Sequence, residues 1–112
     1  MALTSTLIGN TNTVVYTSTV SGSQTGNAIT SIIICNYTSG TTATVTLYAV
    51  PNNAGAIGTP GNVNTIVYQL SVPAGETVSL DQEKLVLSGN DTIVAVASVS
   101  SVLTISISTL AV

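Results

Sequence analysis

The stretch Ala43-Thr44-Val45-Thr46-Leu47-Tyr48-Ala49-Val50 decides the fold class. Ala43, Val45, Leu47 and Ala49 fall on one side of a two-residue repeat, and Thr44, Thr46 and Tyr48 on the other. Side chains alternate across a β-pleat, so this is the pattern of a strand with one face in a core. A helix needs apolar residues three and four apart, and β-branched Thr and Val disfavour it further. The same rhythm returns downstream. Ile66, Tyr68, Leu70 and Val72 alternate with Thr65, Val67, Gln69 and Ser71, and Leu103, Ile105 and Ile107 alternate with Thr104, Ser106 and Ser108. Further strands are predicted over residues 3–8, 13–19, 29–36, 77–80 and 92–99. A single helical turn is predicted at Asp81-Gln82-Glu83-Lys84, where the leading acid suits an N-cap.

About eight short antiparallel strands with polar turns between them predict an all-β domain, a β-sandwich or jelly roll. Residues 1–112 are read as one such domain, with residues 1–12 either joining its sheets or reaching out as an extended arm. The turn chemistry is distinct at three places. Tyr37-Thr38-Ser39-Gly40-Thr41 is expected to close a hairpin, and Val72-Pro73-Ala74-Gly75-Glu76 a type II turn with Pro73 setting φ. Ser88-Gly89-Asn90-Asp91 is the third. The longest break covers residues 51–62, and loops of that length are uncommon unless they bind something or move.

Composition narrows the function classes. Ser and Thr occupy 33 of the 112 positions, whereas charged residues make up 4% and His, Trp and Phe are absent. The surface must therefore be wetted by hydroxyls and amides. Lys84 is the single cation, so neither a phosphate backbone nor an anionic membrane finds a basic patch. No apolar run approaches the ~20 residues that span a bilayer. The opening residues lack the charged and apolar regions of a secretory leader. With mean hydropathy +0.59 the chain is not of the disordered class, which pairs low hydropathy with high net charge.

Chemistry-bearing groups are few. General acid–base work needs a group titrating near the working pH, and without His it falls to Glu76, Asp81, Glu83 and Asp91. Asp81 and Glu83 are the pair that a carboxylate dyad or a hard-cation site would use, but they read as solvated turn residues. Cys35 has no His or second Cys to activate it, and it is expected to be buried in the Ile-rich strand. Asn36-Tyr37-Thr38 and Asn90-Asp91-Thr92 match the glycosylation pattern, which matters only in a secreted eukaryotic protein. The chain is therefore read as a non-enzyme, with no cofactor. A carbohydrate-binding module is the rival from another class, with Tyr48 as its candidate platform.

Two stretches carry apolar groups on both faces: Ile32-Ile33-Ile34-Cys35, and Val94 and Val96 beside Ile93, Ala95 and Ala97. Either these are central strands covered on both sides, or their second face meets another subunit. Ile32, Ile34, Tyr48, Ile57, Val94 and Val96 are the candidate contact residues, Ile57 standing for the long loop.

Four stretches resemble small structural proteins of tailed bacteriophages, particularly those of cyanobacteria. They are Thr30-Ser31-Ile32-Ile33-Ile34-Cys35-Asn36, Thr44-Val45-Thr46-Leu47-Tyr48-Ala49-Val50, Val72-Pro73-Ala74-Gly75-Glu76-Thr77 and Glu83-Lys84-Leu85-Val86-Leu87-Ser88-Gly89-Asn90-Asp91-Thr92-Ile93. The resemblance covers residues 28–98. One departure stands out, since Asn90 separates Gly89 from Asp91 where such proteins often have Gly directly before Asp. The resemblance implies a virion component of the capsid cement or decoration type, with neck, tail or baseplate subunits as the alternative. It implies the major capsid protein or other virion proteins as partners, and self-association, a trimer being one form that capsid symmetry offers.

Overall fold

The structure is a computed structural model, and it describes residues 2–80 and 85–112. Nine strands build it: β1 (Ala2–Leu7), β2 (Thr13–Thr17), β3 (Asn27–Asn36), β4 (Ala43–Val50), β5 (Thr65–Val72), β6 (Thr77–Leu80), β7 (Leu85–Leu87), β8 (Thr92–Ala97) and β9 (Leu103–Ala111). A 3-10 turn at Asn62–Asn64 precedes β5. The helical turn predicted at residues 81–84 lies outside the described residues.

Two antiparallel sheets face each other. The first runs β1-β9-β3, with β6 and β7 both on the far side of β3; the second runs β2-β8-β4-β5. β6 pairs with Ile32–Cys35 and β7 with Asn27–Ile29, so the two share one lane of the sheet. Counting that lane as one strand gives eight strands in the interleaved order of a jelly roll. Residues 2–7 are not a free arm in this chain, because they pair with β9 from Ala2↔Thr109 to Leu7↔Thr104.

The alternation of β4 and β9 places their apolar sides inward as expected. Val45 and Leu47 are buried, and Leu103, Ile105 and Ile107 meet them from the other sheet in one aliphatic core. β3 keeps its core face through a bulge. Ile29 pairs with Thr109 and Ser31 with Ser108, so Thr30 is the extra residue and the inward position moves from odd to even numbers. Ile32 and Ile34 therefore face the core, and Ile33 and Cys35 face out.

β5 departs from its expected alternation for the same reason. Its pairing with β4 slips between Leu70 and Val67 and again between Val67 and Thr65. Val67, Leu70 and Val72 turn inward, whereas Tyr68 projects into solvent. Gln69 takes a left-handed φ of 50° within the first bulge, and its N–H donates to Thr46 Oγ1 at 3.1 Å.

The hairpin expected at residues 37–41 is not one. β3 lies in the first sheet and β4 in the second, so this connection crosses the sandwich. Buried Asn36 organises the crossing with all four bonds its amide can make. Its Nδ2 donates to Thr41 O (2.7 Å) and Val72 O (2.9 Å), and its Oδ1 accepts from Thr38 N (3.0 Å) and Thr38 Oγ1 (2.6 Å). The turn at residues 73–76 runs alongside, with Glu76 N donating to Pro73 O and Gly75 N to Asn36 O. Pro73 is thus the first residue of that turn rather than the second. Gly75, at φ 76°, occupies the left-handed third position.

Candidate interaction faces

In an antiparallel sheet, residues directly opposite share a face, so the registers define what each outer surface presents. On the second sheet Val14, Val94, Tyr48 and Thr65 form one outward row, and Val96 and Thr46 belong to the next. Val94 is buried between its neighbours, and Tyr48 and Val96 are half-buried. Thr92 is also fully buried on β8. Its hydroxyl is the one buried side-chain polar atom among the described residues with no hydrogen-bond partner.

The long loop folds back over the end of β4. A Cβ on Gly58 would sit 2.6 Å from Pro51 O and 3.2 Å from Val50 Cγ1, so only glycine fits there. Ile57, just before it, is 56% exposed. Asp91 anchors the start of the loop. Its Oδ1 accepts from Asn52 N (2.8 Å) and Asn52 Nδ2 (3.0 Å), and its Oδ2 accepts from Ser88 N (2.8 Å). Asn90, the residue that breaks the Gly-Asp pair, adopts φ 65° and donates from Nδ2 to Gly55 O at 2.7 Å. Asp91 thus ties the loop to the β7–β8 turn.

The first sheet presents a different surface. Leu7, Thr104, Cys35 and Thr77 make one outward row, and Ser5, Ser106, Ile33 and Ser79 the next. Leu3, Ser108 and Ser31 follow, then Leu110, Ala28 and Val86. Among the described residues, no charged side chain stands in these rows. Hydroxyls alternate with exposed aliphatic groups, and Ser5 Oγ lies 3.3 Å from Ser106 Oγ.

The six contact residues chosen from sequence are therefore divided. Ile32 and Ile34 line the core and present no outer surface. Val94, Val96 and Tyr48 share the outer face of the second sheet, and Ile57 sits on the loop beyond β4. The β3 residue that does reach out is Ile33. Sequence reasoning misses the exposed Leu3, Leu7, Val86 and Leu110, although the alternation Leu3-Thr4-Ser5-Thr6-Leu7 carries a signal for the first two. Cys35 is half-buried on the outer face rather than enclosed with the isoleucines.

An apolar cleft of about 450 Å³ opens where β5 bulges away from the β6–β7 lane. It is lined by Ile32, Leu47, Ile66, Val67, Leu80 and Leu85, all aliphatic. Among the described residues no group of His, Cys, Asp and Glu could hold a metal ion. Asp81 and Glu83 lie outside those residues. No helix of the described chain is long and apolar enough to cross a membrane.

No protein-family profile matches the sequence, and no curated protein matches it. Among solved structures, the chain is similar to a chain in the structure of infectious bursal disease virus Gx strain. The likeness has 12% identity and a TM-score of 0.42, and it spans 97% of this chain and 29% of that one. The strand order stands on its own registers and takes no support from it.

Proposed function

We propose that this chain is a non-enzymatic structural protein of a virion, of the type that cements or decorates a capsid shell. The observation that carries the reading is the jelly-roll strand order together with a sheet face of hydroxyls and aliphatic groups. Jelly rolls are used repeatedly as capsid domains, and also as lectin domains. The step from fold to role is an analogy at the level of the fold, and the phage resemblance of residues 28–98 gives it direction. A surface of this kind binds through shape, apolar burial and hydrogen bonds, with weak charge steering and little dependence on salt. That suits a subunit docking over joints between copies of a major capsid protein, and symmetric self-association would add to the buried area.

The test is antibody–gold labelling of intact particles from the source phage, viewed by electron microscopy. Label spread over the icosahedral shell is the expected result. Label confined to a neck, tail or baseplate would replace the cement role with a tail-structure role. Absence from intact and disrupted particles alike would overturn the virion reading.

A sugar-binding role is the second reading. Tyr48 is half-buried against its own sheet, but Tyr68 on β5 is 72% exposed and offers an aromatic face. Glycan-array binding that is lost in Tyr68→Ala would establish this reading in place of the first; a blank array would remove it.

A further inference from the structure

A jelly roll has four sheet edges, and three of them in this chain are irregular or made of short strands. β2 carries a bulge between Val14 and Tyr16, β5 slips register twice, and beside β3 stand the short strands β6 and β7, of four and three residues. Such irregularities keep an edge from pairing with another strand. β1 has none of them. Its register with β9 is continuous over Ala2–Leu7, and the strand contains no proline and no charge.

The ladder shows which backbone groups of β1 are free. Ile8 N donates to Leu103 O at 2.9 Å, and hydrogen-bonded pairs alternate along an antiparallel ladder. Thr6, Thr4 and Ala2 therefore direct N–H and C=O toward β9, whereas Leu7, Ser5 and Leu3 direct theirs to the open edge. Among the described residues, no strand pairs with that edge.

The side chains of β1 are also inverted relative to a normal edge strand. Thr4 and Thr6 are the half-buried, inward residues, whereas Leu3 is 69% and Leu7 49% exposed. Both leucines border the open edge. The residues Leu3-Thr4-Ser5-Thr6-Leu7 also read the same in both directions. An antiparallel pair of identical strands centred on Ser5 sets Leu3 against Leu7 of the partner subunit, Thr4 against Thr6 and Ser5 against Ser5. The register that joins the free backbone groups is the register that joins the leucines.

We infer that β1 is a twofold pairing edge, through which two copies of this chain join their first sheets into one continuous sheet. The open edge alone would accept any extended segment; the self-complementary sequence selects a second copy. The inference does not rest on the virion reading. A monomer in solution leaves that reading to particle labelling, and absence from particles leaves the dimer standing.

The experiment is sedimentation equilibrium of the full chain over a concentration series into the high micromolar range, with Ser5→Pro in parallel. Proline at Ser5 removes an N–H aimed at the partner and leaves the backbone bonds to β9 intact, losing on that side only the exposed contact of Ser5 Oγ with Ser106 Oγ. The parent is expected to reach twice the 11.2 kDa chain mass, and Ser5→Pro to stay at the chain mass with unchanged circular dichroism. Register is checked in a Cys35→Ser background. Ser5→Cys is expected to form a disulfide dimer under mild oxidation, because Ser5 meets its own copy at a Cα distance a disulfide bridges. Leu3→Cys is expected not to cross-link, because Leu3 faces Leu7 of the partner subunit. A parent that stays monomeric, a dimer or trimer that survives Ser5→Pro, or equal cross-linking of both variants would overturn the inference.

Discussion

β1 and β5 are both edge strands of similar length, yet the fold treats them in opposite ways. β5 has two bulges, turns Tyr68 outward and places Gln69 at a left-handed φ. β1 is straight in register and shows Leu3 and Leu7 to the outside. A bulged edge cannot offer evenly spaced donors and acceptors to a neighbour; a regular one can. In a chain with few charges, the contrast sets an edge built against pairing beside one left open to it.

The largest expected effect comes from releasing the anchored end of β5. Asn36→Ala removes the side-chain donor to buried Val72 O and the acceptor of part-buried Thr38 N, while Thr41 O keeps Thr38 Oγ1; it should cost about 2–4 kcal/mol, roughly 1–3 kcal/mol of it for the buried carbonyl. Urea unfolding would measure it. A loss under about 0.5 kcal/mol would mean that the crossing is held by other contacts.

Next comes a proline pair on β1. Thr6→Pro removes an N–H directed at β9 and should cost about 2 kcal/mol, whereas Ser5→Pro should cost under about 0.5 kcal/mol for the isolated chain. Equal losses in thermal unfolding would mean that the assignment of inward and outward backbone groups is wrong.

On β5, Gln69→Gly relieves the cost of a left-handed conformation and should leave stability unchanged or raise it by about 1 kcal/mol. A clear destabilisation would show that the bulge is not a conformational stress. The smallest effect is expected from Leu3→Ser with Leu7→Ser. These exposed side chains should change unfolding of the isolated chain by no more than about 0.5 kcal/mol each.

The fold class and the core faces of β4 and β9 were legible in the sequence, because Val45, Leu47, Leu103, Ile105 and Ile107 repeat at the period of the pleat. Bulges hid the rest. One extra residue at Thr30 reversed the expected roles of Ile33 and its neighbours, and the slips in β5 moved Tyr68 away from Leu70 and Val72. Turn residues at 37–41 mark a chain reversal but carry no information on whether the flanking strands share a sheet. β7, only Leu85–Leu87, is too short to show a period and is defined by its partner β3. The outward leucines of β1 could be read as alternation, but which side faces the core depends on pairing with β9, nearly the whole chain away.

Residue-resolved hydrogen exchange of the β1 amides at low and high protein concentration tests the account of the two edges most directly. Thr4 and Thr6 should be protected at every concentration by their bonds to β9. Leu3, Ser5 and Leu7 should exchange fast when dilute and become protected as concentration rises. Fast exchange at Thr4 and Thr6, or rates at Leu3, Ser5 and Leu7 that ignore concentration, would contradict it.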